Sequence, residues 1–311
     1  MIRPINKKGF EMSFSWLFAL IAGAFILMLA IFIASKIISQ GEGKSDAITA
    51  KEIQILLNPL ETSFQEGVVT SFNLNVDSRI YNYCIIDGEF GRQIIKVSQK
   101  SFDKWTKEGV EVGSSNNYIF SKSPSEGREF LLFVKPFKMP FKVADLIYLI
   151  PSSENYCFRN TGEEIKDEIE NLGIKNIFLE ISDCPEDSIN VCFGSGDCEI
   201  YVKESQGIVE KDGEVLSFSD DATMYAAIFS SKEVYECQVK RLMMRLEKLA
   251  DIYREKAIIM DSKGCHSGIG SELVMLKSLA ETYQDSTQLG SVYDLANRIE
   301  EKVYDSSCKL W

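Results

Sequence analysis

The hydrophobic positions change rhythm along the chain, and each rhythm predicts a different element. From Phe14 to Ala34 (FSWLFALIAGAFILMLAIFIA) there is no rhythm: Ser15 is the only polar side chain. A segment apolar all round has no face for water. As a helix its 21 residues reach about 31 Å, close to the roughly 30 Å of a bilayer's hydrocarbon core. Hydrocarbon offers the backbone no hydrogen-bond partner, so a helix is the form it admits. The run predicts one transmembrane helix, bounded with its flanks at 13–39, and a lipid bilayer as first partner. Ile37 to Asp46 (IISQGEGKSD) then reads as a polar, glycine-containing hinge. Ala47 to Leu57 reads as a short amphipathic helix stopped by Asn58-Pro59, which makes 40–60 a linker.

From about Glu61 to Arg159 the pattern turns to period two. Val69 to Val76, Gln93 to Val97, Asn117 to Ser121, Phe130 to Lys135 and Val143 to Ile150 are strand-like runs punctuated by Gly, Pro, Ser and Asn. That spacing predicts a β-rich, sandwich-like domain over 61–159. From Thr161 helix and strand signals alternate. Thr161 with Glu164 resembles a capping box, and Gly173 a helix stop. Gly194-Ser195-Gly196 and Lys211-Asp212-Gly213 mark two hairpin turns. From Ser231 the apolar positions recur at three and four: Val234, Val239, Leu242, Leu246, Leu249 and Tyr253. Two more such helices span Leu273 to Tyr283 and Leu289 to Tyr304. The expected class is α+β: an N-terminal transmembrane helix, a β-rich domain, then a smaller α/β part over 160–311 capped by a helical hairpin or three-helix unit.

Charge orients the chain. The formal net charge is −12; Arg3, Lys7, Lys8 and Lys36 against Glu11 make residues 1–40 net +3, so the rest carries −15. Basic residues crowd the short segment 1–12, and long domains cross membranes largely regardless of their charge. The expectation is a cytoplasmic N-terminus and an extracytoplasmic body in the cell membrane. An acidic body lacks the footprint of a nucleic-acid binder.

All eight cysteines follow the apolar run, and their number is even. Beside a membrane anchor this predicts a disulfide set formed in an oxidising compartment. Zinc is disfavoured: there is no CxxC pair and one histidine, His266. Cys192 and Cys198 face each other if their segment is a hairpin. Cys84 and Cys157 share an Asn-Tyr-Cys context at the two ends of the β region. Cys237 opens one long helix and Cys308 closes a later one, which leaves Cys184 with Cys265. The expected pairs are thus Cys84–Cys157, Cys192–Cys198, Cys237–Cys308 and Cys184–Cys265.

Lys7-Lys8-Gly9-Phe10-Glu11 ahead of the apolar run resembles a type IV pilin-type leader. The resemblance covers about the first 35 residues. It implies cleavage after Gly9 and packing of the apolar helix in a filament core. The acidic residue stands second after that cut, whereas bacterial pilins carry it fifth. Gly41 and Gly43 also count against a continuous pilin-like stalk. Ala19 and Gly23, like Ala30 and Ala34, are small residues four apart, a spacing that lets two membrane helices approach.

Candidate chemistry is sparse. Cys265-His266 is the sole Cys–His neighbour pair, but the cysteine is more simply a disulfide partner. Gly268-Ile269-Gly270 lacks the rest of a phosphate loop. Asp183, Glu186, Asp187, Asp197 and Glu199 cluster in sequence around two cysteines, and calcium is the hard cation such oxygens would suit. Arg241, Arg245 and Lys248 form a basic stripe on the predicted helix, suited to solvent or an acidic partner. No catalytic residue and no cofactor is expected. The reading is a membrane-anchored, disulfide-stabilised structural or interaction module of the cell surface or envelope, which would meet other surface proteins. The alternatives are a pilin-like filament subunit and a metal-assisted surface hydrolase.

Overall fold

In the computed structural model residues 14–56, 69–101, 103–179, 183–305 and 308–311 are described. The leader-like Lys7–Glu11 and the Asn58-Pro59 stop lie outside them. The chain divides into two units, Met1–Ser45 and Asp46–Trp311.

The first unit is carried by helix α1, Phe14–Leu56. Its stretch Trp16–Lys36 has a mean hydropathy of 2.9, and none of it is buried by the protein. The segment expected as a hinge is helical. Glycine costs a helix about 1 kcal/mol, and extending an existing helix avoids the cost of nucleation, so Gly41 and Gly43 do not stop it. The final turns of α1 belong to the second unit, where Ala50 and Ile53 are buried.

The second unit holds two sheets. The first has seven strands: β1 (Thr70–Ile85), β2 (Arg92–Ser101), β3 (Lys104–Trp105), β4 (Val112–Ser114), β5 (Tyr118–Phe120), β6 (Ser125–Lys138) and β7 (Lys142–Pro151). The order is β3-β2-β1-β6-β7-β5, with β4 also on β2. All pairings are antiparallel except β5 with β7. Because β4 pairs with β2 while β5, just beyond it, pairs with β7, the sheet curls back on itself. Its inner residues, Ile80, Ile95, Val97, Ile119, Phe130 and Ile147 among them, form one cluster with Ala50 and Ile53.

The second sheet has six strands: β8 (Tyr156–Arg159), β9 (Ile177–Phe178), β10 (Ile189–Phe193), β11 (Ile200–Lys203), β12 (Ile208–Lys211) and β13 (Glu214–Ser217), in the order β13-β12-β11-β10-β8-β9. The expected hairpin around Gly194 is not one. Strands β10 and β11 run parallel, with Val191 beside Ile200. The loop between them doubles back and is pinned beneath β10 by Cys192–Cys198. Gly196 permits this, since a Cβ there would lie 2.4 Å from Cys192 Sγ. The β12–β13 hairpin turns at Asp212-Gly213, where φ is +52° and +75°, the geometry that favours such a dipeptide.

Helix α2 (Glu163–Leu172) starts from Gly162 with no side-chain cap, so Thr161 does not serve as one; Gly173 ends it in the left-handed conformation. Helix α3 (Asp221–Phe229) was not expected. Asp220 and Thr223 form its capping box, and every residue from Ala222 to Phe229 is buried. Three helices follow: α4 (Lys232–Ser262), α5 (Gly270–Thr282) and α6 (Leu289–Asp305). The α+β class is as expected. A second cluster runs from β5–β7 through the second sheet into α3–α6. Its centre is aromatic, with Phe133 stacked on Tyr148 at 4.4 Å and Phe229 set edge-on to Phe133 and Tyr156.

Three expected disulfides are replaced. The bonds are Cys84–Cys237, Cys157–Cys184, Cys192–Cys198 and Cys265–Cys308. With α4, α5 and α6 packed in succession, the end of α6 returns to the end of α4 rather than to its start. Cys308 therefore meets Cys265 and not Cys237. Cys237, at the start of α4, meets β1 instead of leaving Cys84 to Cys157.

Candidate functional site

The residues singled out from sequence do not assemble into a reactive centre. Cys265 is bonded to Cys308, so no thiol stands beside His266, whose exposed ring lies 3.4 Å from Asp261. Asp183, Glu186, Asp187, Asp197 and Glu199 are all exposed. Among the described residues no three His, Cys, Asp or Glu side chains are placed to share a metal ion. Glu199 instead accepts the backbone N–H of Asn190 at 2.8 Å. Slight burial pulls its carboxyl up, but that hydrogen bond holds it below the usual carboxylate range.

The basic stripe also dissolves. Arg241 is wholly buried. Its guanidinium donates to the carbonyls of Phe90 (3.1 Å), Asn117 (2.8 Å) and Ser115 (2.9 Å) and to Gln238 Oε1 (2.7 Å), and lies 4.7 Å from the centre of the Tyr118 ring. Burial draws it down to about 10, which leaves it charged at neutral pH. Lys248 stays at the surface with Glu247 and Glu89. What Arg241 completes is an edge. Ile119 in β5 turns its N–H and C=O away from β7, toward a side with no strand. Gln93 accepts the N–H at 3.3 Å; Asn82 (3.0 Å) and Gln238 (3.2 Å) donate to the C=O. Three amide side chains thus do the work of a missing strand, and Cys84–Cys237 ties the same place covalently.

A cleft of about 460 Å³ opens where α3 ends and α4 begins, with Lys122, Glu199, Lys211, Glu214 and Lys232 among its walls. Its lysines are engaged. Lys211 Nζ donates to the carbonyls of Ala227 (2.5 Å), Ile228 (3.1 Å) and Ser230, satisfying the end of α3. Burial brings this ammonium down to about 8. Lys232 meets Glu214 at 3.3 Å. A second cleft beside α2 is similar: Lys135 sits 2.5 Å from Glu168 and 3.9 Å from Asp221, and the Tyr225 hydroxyl donates to Glu168 at 3.0 Å. In both clefts the charged groups hold the fold together.

Apolar side chains also stand exposed on the α4–α5 pair. Ile252, Ile258 and Ile259 of α4 and Val274 and Met275 of α5 are each more than half exposed. The exposed face of α5 is Ser271, Val274, Met275 and Ser278, with Leu273, Leu276 and Ala280 buried behind. Lys277 reaches Asp251 at 2.5 Å and fixes the two helices side by side.

No protein-family model, curated protein or solved structure matches the chain.

Proposed function

We propose that this chain is a membrane-tethered module that works by contact at the cell surface or envelope, with its N-terminus in the cytoplasm and its disulfide-bonded body outside. The observation that carries this is a conjunction: a 21-residue apolar span, Trp16–Lys36, in a chain whose eight cysteines are all paired. Disulfides persist where the medium is oxidising, and an apolar helix left uncovered by its own protein suits hydrocarbon. The clefts support the same reading, because their charged groups are committed to internal bonds. Partners are other envelope or surface proteins, and Ala19, Gly23, Ala30 and Ala34 offer a close approach between anchors. The test is topology. Lys107 is exposed, and Lys107→Cys in intact cells should react with a membrane-impermeant maleimide; labelling only after lysis defeats the reading.

A second reading, a pilin-like filament subunit, gains support from α1. The helix continues past Gly41 and Gly43, and its last turns carry Ala50 and Ile53 into a sheet core. Mass spectrometry of the mature N-terminus tests it: a chain beginning at Phe10 supports processing, and one retaining Lys7 and Lys8 removes it.

A further inference from the structure

We infer that Arg245 of α4 and Tyr118 of β5 form a binding site for a carboxylate, seated beside the buried Arg241. The inference goes beyond the contact-module reading and holds on either side of the membrane. Arg241 and Arg245 are four residues apart on α4, so they stand on one face, one turn above the other. Like charges at that spacing repel. Burial draws the Arg241 guanidinium down, and the charge of Arg245 draws it the same way. Among the described residues no carboxylate lies within ion-pair distance of either. The acids on adjoining segments face other cations: Asp87 meets Arg92 at 2.6 Å, and Glu89 and Glu247 meet Lys248. Arg79, Arg92, Arg128 and Arg254 each have an aspartate or glutamate of their own. In a body of net charge −15, a cation pair without an acid is the exception.

The hydrogen bonds divide the two arginines. Arg241 spends its donors on Phe90, Asn117, Ser115 and Gln238. Arg245 is half-buried, and its buried Nε has no hydrogen-bond partner. Tyr118 is fully buried, and its hydroxyl has none either. These two groups are neighbours. Burial raises the Tyr118 phenol above the ordinary value near 10, while Arg241 and Arg245 pull it down. Burial prevails, so the hydroxyl keeps its proton at neutral pH. Arg245 offers donors alone, and the Tyr118 proton needs an acceptor whichever way the hydroxyl turns. Donors buried without an acceptor are costly. A carboxylate meets every one of these demands. One oxygen accepts from Tyr118, the other from the planar fork of Arg245, and its charge offsets the two cations. The exposed part of Arg245 gives it a way in.

The test uses the full-length chain in detergent micelles at constant ionic strength, with sodium acetate replacing sodium chloride stepwise. The Nε–H resonance of Arg245 is followed by NMR and identified by its loss in Arg245→Lys. It should shift along a saturating curve. Tyr118→Phe, which keeps the buried ring, should raise the half-saturating acetate concentration about fivefold or more. Acetate should also raise the melting temperature of the unmodified chain, and Arg245→Gln should remove that rise. Hexaglutamate at equal carboxylate concentration separates the sources. A stronger response than acetate gives assigns the carboxylate to an acidic segment of another protein, and an equal or weaker one assigns it to a free small acid. An Arg245 resonance unmoved by the exchange of chloride for acetate overturns the inference, and this reading needs no variant of Arg245 to fold. A half-saturating concentration unchanged in Tyr118→Phe overturns it too, as does an acetate effect on melting that persists in Arg245→Gln.

Discussion

Gln238 of α4 and Gln93 of β2 share a buried hydrogen bond across 145 residues of sequence. Through it the first half of the body is completed by the second. Gln93 also holds the N–H of Ile119, and Gln238 its C=O. A strand edge left open inside a protein would strand these groups without water, at about 1–3 kcal/mol each. The body therefore needs α4 in place for its first sheet to close.

Arg241 is expected to be the most sensitive side chain in that seam. Arg241→Met removes the donors to three backbone carbonyls at once. The expected loss is about 2–4 kcal/mol, read from urea denaturation. Arg241→Lys should recover less than half of it, because one ammonium cannot reach carbonyls on two loops as a planar guanidinium does.

The disulfides should differ in weight. Cys84–Cys237 closes 153 residues and Cys192–Cys198 closes 6. Loop entropy makes the longer one more stabilising, by about 2 kcal/mol or more. Cys84→Ala with Cys237→Ala should lower the melting temperature further than Cys192→Ala with Cys198→Ala. Equal shifts would show that the seam holds without its covalent tie.

Stability should follow a two-part course above neutrality. Lys211 sits at about 8 when folded and near 10.5 when exposed, so between those values the unfolded chain binds the proton more. Raising the pH through that window favours the folded state. The buried tyrosines act oppositely. Burial raises Tyr148, Tyr156, Tyr225 and Tyr235 above the ordinary value near 10, so above pH 10 the unfolded chain loses their protons first. Urea midpoints should rise gently from pH 8 to 10 and then fall steeply. Lys211→Met should abolish the rise and leave the fall.

The anchor has a direct assay. The full chain should stay with membranes through alkaline carbonate extraction. A chain carrying Leu20→Arg, Ile26→Glu and Phe32→Lys should not, since each charge at mid-helix costs about 2.5–3.5 kcal/mol of insertion.

How far the sequence reveals the fold depends on what each residue's neighbours are. Helix α4 is legible because Val239, Leu242 and Leu246 lie on one side and polar residues on the other. Helix α3 is not: it is buried on every side, so DATMYAAIF carries no period. Asp212-Gly213 announces its hairpin because both positions need positive φ. The loop after Phe193 has equally good turn residues but doubles back to a parallel strand, a choice made by β8 on the far side of β10. Arg241, Arg245 and Lys248 share a helical stripe that looks solvated. Where amides and a guanidinium stand in for a strand, polar residues mark the inside, and the usual sign is reversed. The exposed apolar face of α5 is hidden in sequence for the matching reason: Val274 and Met275 resemble the core residues they adjoin.

Because Cys84 and Cys237 are joined, every peptide bond from residue 84 to residue 237 lies within a closed covalent ring. A protease that nicks the exposed Asp212-Gly213 turn of the second sheet opens the ring without separating the pieces. The clipped body keeps its C-terminal helices tethered to β1, and hence to α1, until something reduces that single bond.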